Sequence, residues 1–229
     1  MKKRDIGARL LSVAHLVRRG ACFADIGTDH AYLPIFLKDE GIISSAVCTD
    51  INKGPLDSAR RNVSEAGYSD CFSFLLTDGA QGVEKFGVTD VAICGMGGEL
   101  IARIIENSPF LKDEKIQLCL QPMSKEGTLR SCLYEMGFEI LKETFSSEGT
   151  KSYVSFLACY TGKARKLTEV ESMLGIDFQS TPKSRESRAY FETKLKAYLR
   201  AESGKSLTAI NTGGEKELIS NIKEWFERN

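Results

Sequence analysis

The sequence predicts an α/β fold, a doubly wound and mostly parallel sheet followed by a small C-terminal helical domain. Three features of the 229 residues carry that expectation. Near-continuous apolar runs alternate with segments of helical periodicity through about residue 136. Two extended runs then follow each other with only a polar turn between them. Beyond residue 160 the chain turns polar and basic before two more helical stretches.

A helix is expected over 5–18, where Ile6, Leu10, Val13, Ala14 and Val17 recur at helical spacing. Strands are expected at 21–27, 45–51, 72–77, 90–95 and 116–121. Each is dominated by apolar residues, as a strand covered on both faces must be. Helices at 32–40, 54–66, 98–107 and 124–136 fill the intervals. Segments 138–146 and 152–160 are joined by Ser147-Glu148-Gly149-Thr150. That link is too short for a parallel crossover, so the pair is antiparallel. Five parallel strands plus a terminal antiparallel hairpin is the chain order of the class I methyltransferase-type sheet. A plain dinucleotide-binding fold more often keeps a parallel sixth strand. In the tail, helices are expected over 188–201 and 214–228, with narrow apolar stripes such as Phe191, Leu195 and Tyr198 on the first and Leu218, Ile222 and Trp225 on the second. Asn211-Thr212-Gly213-Gly214 breaks the chain between them.

With 31 basic and 31 acidic residues the net charge is zero, which is not the signature of a strongly basic nucleic-acid binder. A local basic face still suffices to meet phosphates. The seven cysteines form no C-x-x-C pair, and Cys22, Cys48, Cys94, Cys119 and Cys159 sit inside apolar runs as small buried hydrophobes. A reducing, cytoplasmic setting and no metal site are therefore expected; a monomer is expected as well. Met1-Lys2-Lys3-Arg4 is basic, but the stretch after it is amphipathic, so neither a signal peptide nor a membrane span is expected.

The chemistry is concentrated where strands end, since ligands of open α/β sheets bind outside the carboxyl ends at the switch point. The first strand ends in Asp25-Ile26-Gly27-Thr28-Asp29-His30. Gly27 allows close backbone approach there, and without the other glycines of G-x-G-x-x-G the turn suits a ligand lacking a pyrophosphate. Asp50, 23 residues further on, has the spacing of a carboxylate that accepts from ribose hydroxyls. Asp78, before Gly79, reads either as an acceptor for the adenine amine or as a turn residue. Gly95-Met96-Gly97-Gly98 leaves backbone exposed after the fourth strand. Gln121 at the end of the fifth reads equally as a base reader or a structural cap.

The strings ADIGTDHAYLP (24–34), DINKGPLDSAR (50–60), DVAICGMGGELIARII (90–105) and LQPM (120–123), with Lys151-Ser152-Tyr153, resemble the bacterial tRNA (adenine-22-N1)-methyltransferases, the TrmK family. The resemblance covers residues 1–160 and extends to the tail only in kind. It implies an S-adenosylmethionine-binding Rossmann-like domain over 1–160 and a helical, coiled-coil-like, tRNA-contacting domain over 161–229. It also implies that Asp25, Gly27 and Asp29 line the methionine end of S-adenosyl-L-methionine, that Asp50 holds the ribose and Asp78 the adenine, and that Gly95, Met96 and Gly97 edge the site of transfer. His30 and Tyr32 would face the cleft, and Pro34 would shape the helix entry.

Methylation of adenine N1 needs no prior proton abstraction but yields a cationic ring, so a carboxylate beside it would help. Asp29 is the candidate, with a helix N-cap as its alternative reading. His30 is an orienting group, and Tyr32, with Tyr153 behind it, is a stacking surface for an extruded base. For phosphate contacts the tail set Lys163, Arg165, Lys166, Lys183, Arg185 and Arg188 is favoured over Lys2-Lys3-Arg4 with Arg9 and over Arg18-Arg19. A small-molecule methyltransferase and a non-catalytic S-adenosylmethionine-binding module are the alternative functions.

Overall fold

The computed structural model describes residues 5–203 and 214–228. The Lys2-Lys3-Arg4 cluster and residues 211–213 of the expected break lie outside them. Five parallel strands come first: β1 (Ala21–Ile26), β2 (Ile43–Asp50), β3 (Phe72–Leu76), β4 (Asp90–Gly97) and β5 (Gln117–Ser124). The hairpin is β6 (Phe138–Glu148) and β7 (Lys151–Tyr160). The seven strands lie in the order β3-β2-β1-β4-β5-β7-β6. Reversal of direction between β1→β2→β3 and β4→β5 opens a crevice at the carboxyl ends of β1 and β4. The later strand of the hairpin, β7, pairs antiparallel with β5, leaving β6 on the outside.

Alternate side chains of each strand feed two separate cores. Phe23, Ala46, Cys48, Ala92 and Cys119 face α1 (Gly7–Ala14), α2 (Tyr32–Asp39) and α3 (Lys53–Glu65). Ala24, Ile26, Val91 and Ile93 belong to the other core, with α4 (Gly98–Glu106), α5 (Glu126–Glu135) and the tail. The first helix is shorter than its apolar periodicity, because the chain leaves it at His15 to turn into β1. Leu16 and Val17 are buried all the same. The fourth strand runs past Cys94 to Gly97 through two register irregularities, so the glycine cluster is a bulged strand end and not a loop after it.

The tail holds α6 (Glu169–Leu174), α7 (Arg185–Glu202) and α8 (Glu215–Glu227). The short α6 falls in the polar stretch where no helix was expected. Its signal is the capping box formed by Thr168 and Glu171. The seventh helix starts earlier than its apolar stripe because Ser184 caps it, accepting from the Ser187 N–H. Phe191 is the centre of an aromatic cluster with Trp225 (4.7 Å between rings), Tyr190 and Phe178, and it meets Phe145 of β6 at 5.6 Å. The tail helices thus share the apolar core of the sheet. Arg130 of α5, almost wholly buried, fastens the seam. Its Nε and Nη2 donate to both oxygens of Glu143 on β6 at 2.7 Å, its Nη1 donates to the Ser172 carbonyl of α6 at 2.9 Å, and it lies over the Phe156 ring.

Candidate active site

The carboxyl ends of β2, β1 and β4 bring Asp50, Asp25, Gly27, Asp29, Gly95 and Met96 together. The Gly27 and Thr28 N–H groups both donate to the Thr49 carbonyl, folding the turn after β1 over β2. Gly27 has φ +76°, and a Cβ on it would come within 2.0 Å of the Met96 Cε. The positive φ favours glycine, and a side chain there would also push the Met96 methyl aside. Gly95, at φ +77°, lets the strand bulge at its end.

Asp25 is buried and accepts a 2.6 Å hydrogen bond from the Thr28 hydroxyl. Burial pushes its carboxyl up to about 6, against the pull of that hydrogen bond and with a contribution from the Asp50 charge. Asp50 accepts from the Asn52 N–H through Oδ1, and its Oδ2 has no partner among the described residues. The loop that follows β3 is tied back by Thr49 Oγ1 donating to the Gly79 carbonyl. Asp78 is exposed there, beside a crevice of about 40 Å³ lined also by Leu100 and Arg103.

Asp29 is not a helix cap. The N-cap of α2 is Ala31, in the left-handed region at φ 55°, without a side-chain cap. Asp29 instead stands 74% exposed with Oδ2 at 3.4 Å from the His30 Nε2. The His30 ring stacks on Tyr32 at 5.0 Å, and the Asn62 amide donates to the His30 carbonyl, fixing the turn. Asp29, His30 and Tyr32 are therefore one contiguous, solvent-facing group, and Pro34 is buried in the first turn of α2 behind it. Tyr153 lies near the hairpin tip opposite Ser146.

Gln121 is a structural residue. It is fully buried, with its Oε1 accepting from Gly95 N–H at 3.2 Å and from Arg9 Nη1 at 2.7 Å, while its Nε2 donates to the Pro122 carbonyl. Thr28 beneath Asp25 is a site residue that the sequence does not single out, and Arg9, which the sequence offers only in a less favoured phosphate-contacting cluster, stands at this rim. Burial pushes the Cys48 and Cys94 thiols up, so neither offers a thiolate. Among the described residues no group of three or more His, Cys, Asp or Glu could hold a metal ion, and no helix is long and apolar enough to cross a membrane.

Lys163 and Arg165 are not at this rim. Antiparallel pairing sets Cys159 beside Gln117, so β7 ends at the edge where β5 begins. Lys163 and Arg165 follow there, lining a depression of about 470 Å³ with Arg130, Asp177 and Thr181. Arg165 pairs with Glu171 and lies over the Tyr134 ring. Lys183 sits over Trp225 and donates to the Phe226 carbonyl, Arg188 donates to the Lys183 carbonyl, and Lys166 and Arg185 are exposed. Arg18 is also committed away from the rim, to the buried Asp90.

The rim fits S-adenosylmethionine by its donor set. A turn at Gly27 in the left-handed region, a strand-end carboxylate with a free oxygen and a buried carboxylate suit a nucleoside carrying an amino acid, and the turn lacks the other glycines of a pyrophosphate fingerprint. Losing the Asp50 carboxylate should cost about 1.5–3 kcal/mol of charge-assisted hydrogen bonding. Calorimetric titration of Asp50→Ala with S-adenosylhomocysteine checks this, and an unchanged affinity would remove the ribose assignment.

Comparison with known proteins agrees with the geometry. The methyltransferase-domain family matches residues 6–156. The tRNA (adenine(22)-N(1))-methyltransferase of Bacillus subtilis (strain 168) is 34% identical over 158 residues, which are 69% of this chain and 66% of that protein. The Streptococcus pneumoniae protein Sp1610 in complex with S-adenosyl-L-methionine superposes with a TM-score of 0.80 at 32% identity, over 95% of this chain and 97% of its own. M. capricolum TrmK in complex with S-adenosyl-homocysteine gives 0.75 at 26% identity, over 98% and 96%.

Proposed function

Because the chain belongs to the methyltransferase-domain family, and within it to the tRNA (adenine-22-N1)-methyltransferases, we propose that it methylates N1 of adenine 22 in tRNA, using S-adenosyl-L-methionine. The observation that carries this reading is the meeting of Gly27, Met96, Asp25 and Asp50 at one switch-point cleft beside the open Asp29-His30-Tyr32 group. Asp50 holds the ribose, Asp25 the ammonium of the methionine end, and Asp78 the adenine side. Bound S-adenosyl-L-methionine supplies an electrophilic methyl group.

The N1 lone pair is free at neutral pH, so the protein has to align and not deprotonate. Because N1 lies on the Watson–Crick edge, the base must be unpaired or extruded. The stacked His30 and Tyr32 rings, with Tyr32 45% exposed, offer a flat surface to such a base. The Asp29 carboxylate faces the charge that develops on the ring. This open face favours a macromolecular substrate over a small one, which would call for an enclosing lid.

Lys163, Arg165, Lys166, Lys183, Arg185 and Arg188 make phosphate contacts, Lys163 and Arg165 at the sheet edge away from the target base. An eight-residue strand such as β4 spans about 25 Å, so a substrate touching both edges has to be long. The test is incubation with labelled cofactor and unmodified tRNA, followed by mapping of the methylated nucleoside. N1-methyladenosine at position 22 is expected, and its absence overturns the assignment. In the same assay Asp29→Ala should lower turnover roughly tenfold, the scale of one charge–charge contact near water, with S-adenosylhomocysteine affinity nearly unchanged. Equal loss of both would assign Asp29 to cofactor binding alone.

A further inference from the structure

The bulged end of β4 does not stand alone. Gly97 pairs with Ser124 of β5, and a Cβ built on it would lie 3.5 Å from the Ser124 Oγ. Gly98 opens α4, and a Cβ there would come within 2.3 Å of the Lys125 carbonyl oxygen. Lys125 is the N-cap of α5, in the left-handed region at φ 57°, and the same carbonyl accepts from the Leu129 N–H at 3.0 Å. A lysine keeps that backbone conformation only where its surroundings hold it. The turn from β5 into α5 is thus wedged against the start of α4, directly after Met96-Gly97. Met96 in turn packs on the Gly27 turn.

What holds this turn comes from the tail. Glu126, the first residue of α5, accepts on Oε1 from Lys194 Nζ of α7 and from the Tyr190 hydroxyl, the latter at 3.3 Å. Lys194 also lies over the Tyr190 ring at 5.5 Å. The Lys194 and Glu126 side chains are only 18% and 17% exposed. Burial raises the Glu126 carboxyl, but the Lys194 charge and hydrogen bond outweigh it and hold the group down to about 2. Such a clasp, drawn out of water, has one defined arrangement, unlike a pair of solvated side chains. It grips the residue next to the strained one. Resting on the methyltransferase reading, we propose that Lys194 is a positioning residue for methyl transfer: it clasps Glu126, seats the Lys125 turn against Gly98 and so fixes the Met96-Gly97 strand end at the edge of transfer. In-line displacement is sensitive to such placement, since a misplacement of about 1 Å costs on the order of 100-fold in rate.

The test is single-turnover methylation of unmodified tRNA by the full chain, at saturating tRNA and S-adenosyl-L-methionine. Lys194→Met keeps an apolar stem over Tyr190 and removes the charge. Glu126→Gln keeps an acceptor for the Tyr190 hydroxyl. Each should slow the transfer step about 5- to 50-fold while S-adenosylhomocysteine affinity and the KM for tRNA stay within about threefold. Retained S-adenosylhomocysteine binding also shows that the variants are folded. The double variant should be no slower than the slower single one, because both changes open the same clasp. Lys194→Arg should recover part of the rate. A transfer rate within about twofold of the unsubstituted protein, even with a lower Tm, means that Lys194 only braces the tail, and overturns the proposal. So does an unchanged rate with a higher KM for tRNA and a shallower salt dependence, which would make Lys194 a phosphate contact. Equal loss of rate and of S-adenosylhomocysteine affinity in both single variants overturns it too, since the clasp would then serve folding at large. If the unsubstituted protein transfers no methyl group to tRNA, the methyltransferase reading itself falls and takes the proposal with it.

Discussion

Replacing Arg130 by alanine is expected to lower the unfolding free energy by about 3–5 kcal/mol, because the Glu143 carboxylate and the Ser172 carbonyl lose their buried donors. For a chain of this size that corresponds to a fall in Tm of roughly 6–20 °C, measurable by thermal or urea unfolding. The pair itself need not be the source of stability. Exchanging both members for apolar residues, as in Arg130→Met with Glu143→Leu, should cost much less, since no charge is then left buried. A loss below about 1 kcal/mol in Arg130→Ala would mean that water replaces the guanidinium and that this seam does not hold the tail. The same seam dictates how RNA contacts should be tested. Cutting the chain at residue 161 would strip Phe191 and Trp225 from the sheet core, so substitutions at single lysines and arginines are the usable probes.

Asp25 should make the unliganded protein less stable as pH rises. Its native carboxyl titrates near 6, whereas the unfolded one titrates near 3.8. The unfolded chain therefore gives up this proton first on raising the pH. The group's contribution is most favourable below about pH 3.8 and is lost progressively until the native carboxyl has also ionised, above about 6. The difference amounts to about 2 kcal/mol between pH 4 and pH 7. Asp25→Asn should flatten that part of the profile, and denaturant unfolding across the range reads it directly. With the cofactor's ammonium assigned to Asp25, S-adenosylhomocysteine affinity should rise as pH goes from 5 to 7, with a midpoint close to 6, and the variant should lose that dependence. A stability profile with the same slope in both proteins would mean that Asp25 is ionised throughout.

The strand pattern was legible because β1 to β5 are apolar on both faces and each ends in a polar or glycine-rich turn. Gly27 and Asp50 were legible as strand-end residues through their position and spacing together. Other features depend on contacts distant in sequence. Nothing near Asp29 announces that Ala31 takes the left-handed N-cap position, which frees Asp29 from a capping role. Arg9 reaches the rim only because Glu148 and Gln121, more than a hundred residues away, receive it. The stripes on α7 and α8 look like those of a free-standing hairpin, and only the aromatic cluster against Phe145 reveals that they cover the sheet. By contrast, the Thr168–Glu171 capping box that starts α6 is local in sequence, but it lies in a polar stretch without helical apolar periodicity.

The position of β7 between β5 and β6 has a consequence for biosynthesis. A ribosome makes β6 before the strand that must separate it from β5, so a nascent chain emerging through Glu148 has an open β5 border and an orphan ribbon beside it. Bare hydrogen-bonding borders of this kind recruit strands from other molecules. Polypeptides stalled or cleaved between residues 125 and 150 should therefore be the aggregation-prone translation products, and synthesis through Tyr160 should relieve the hazard.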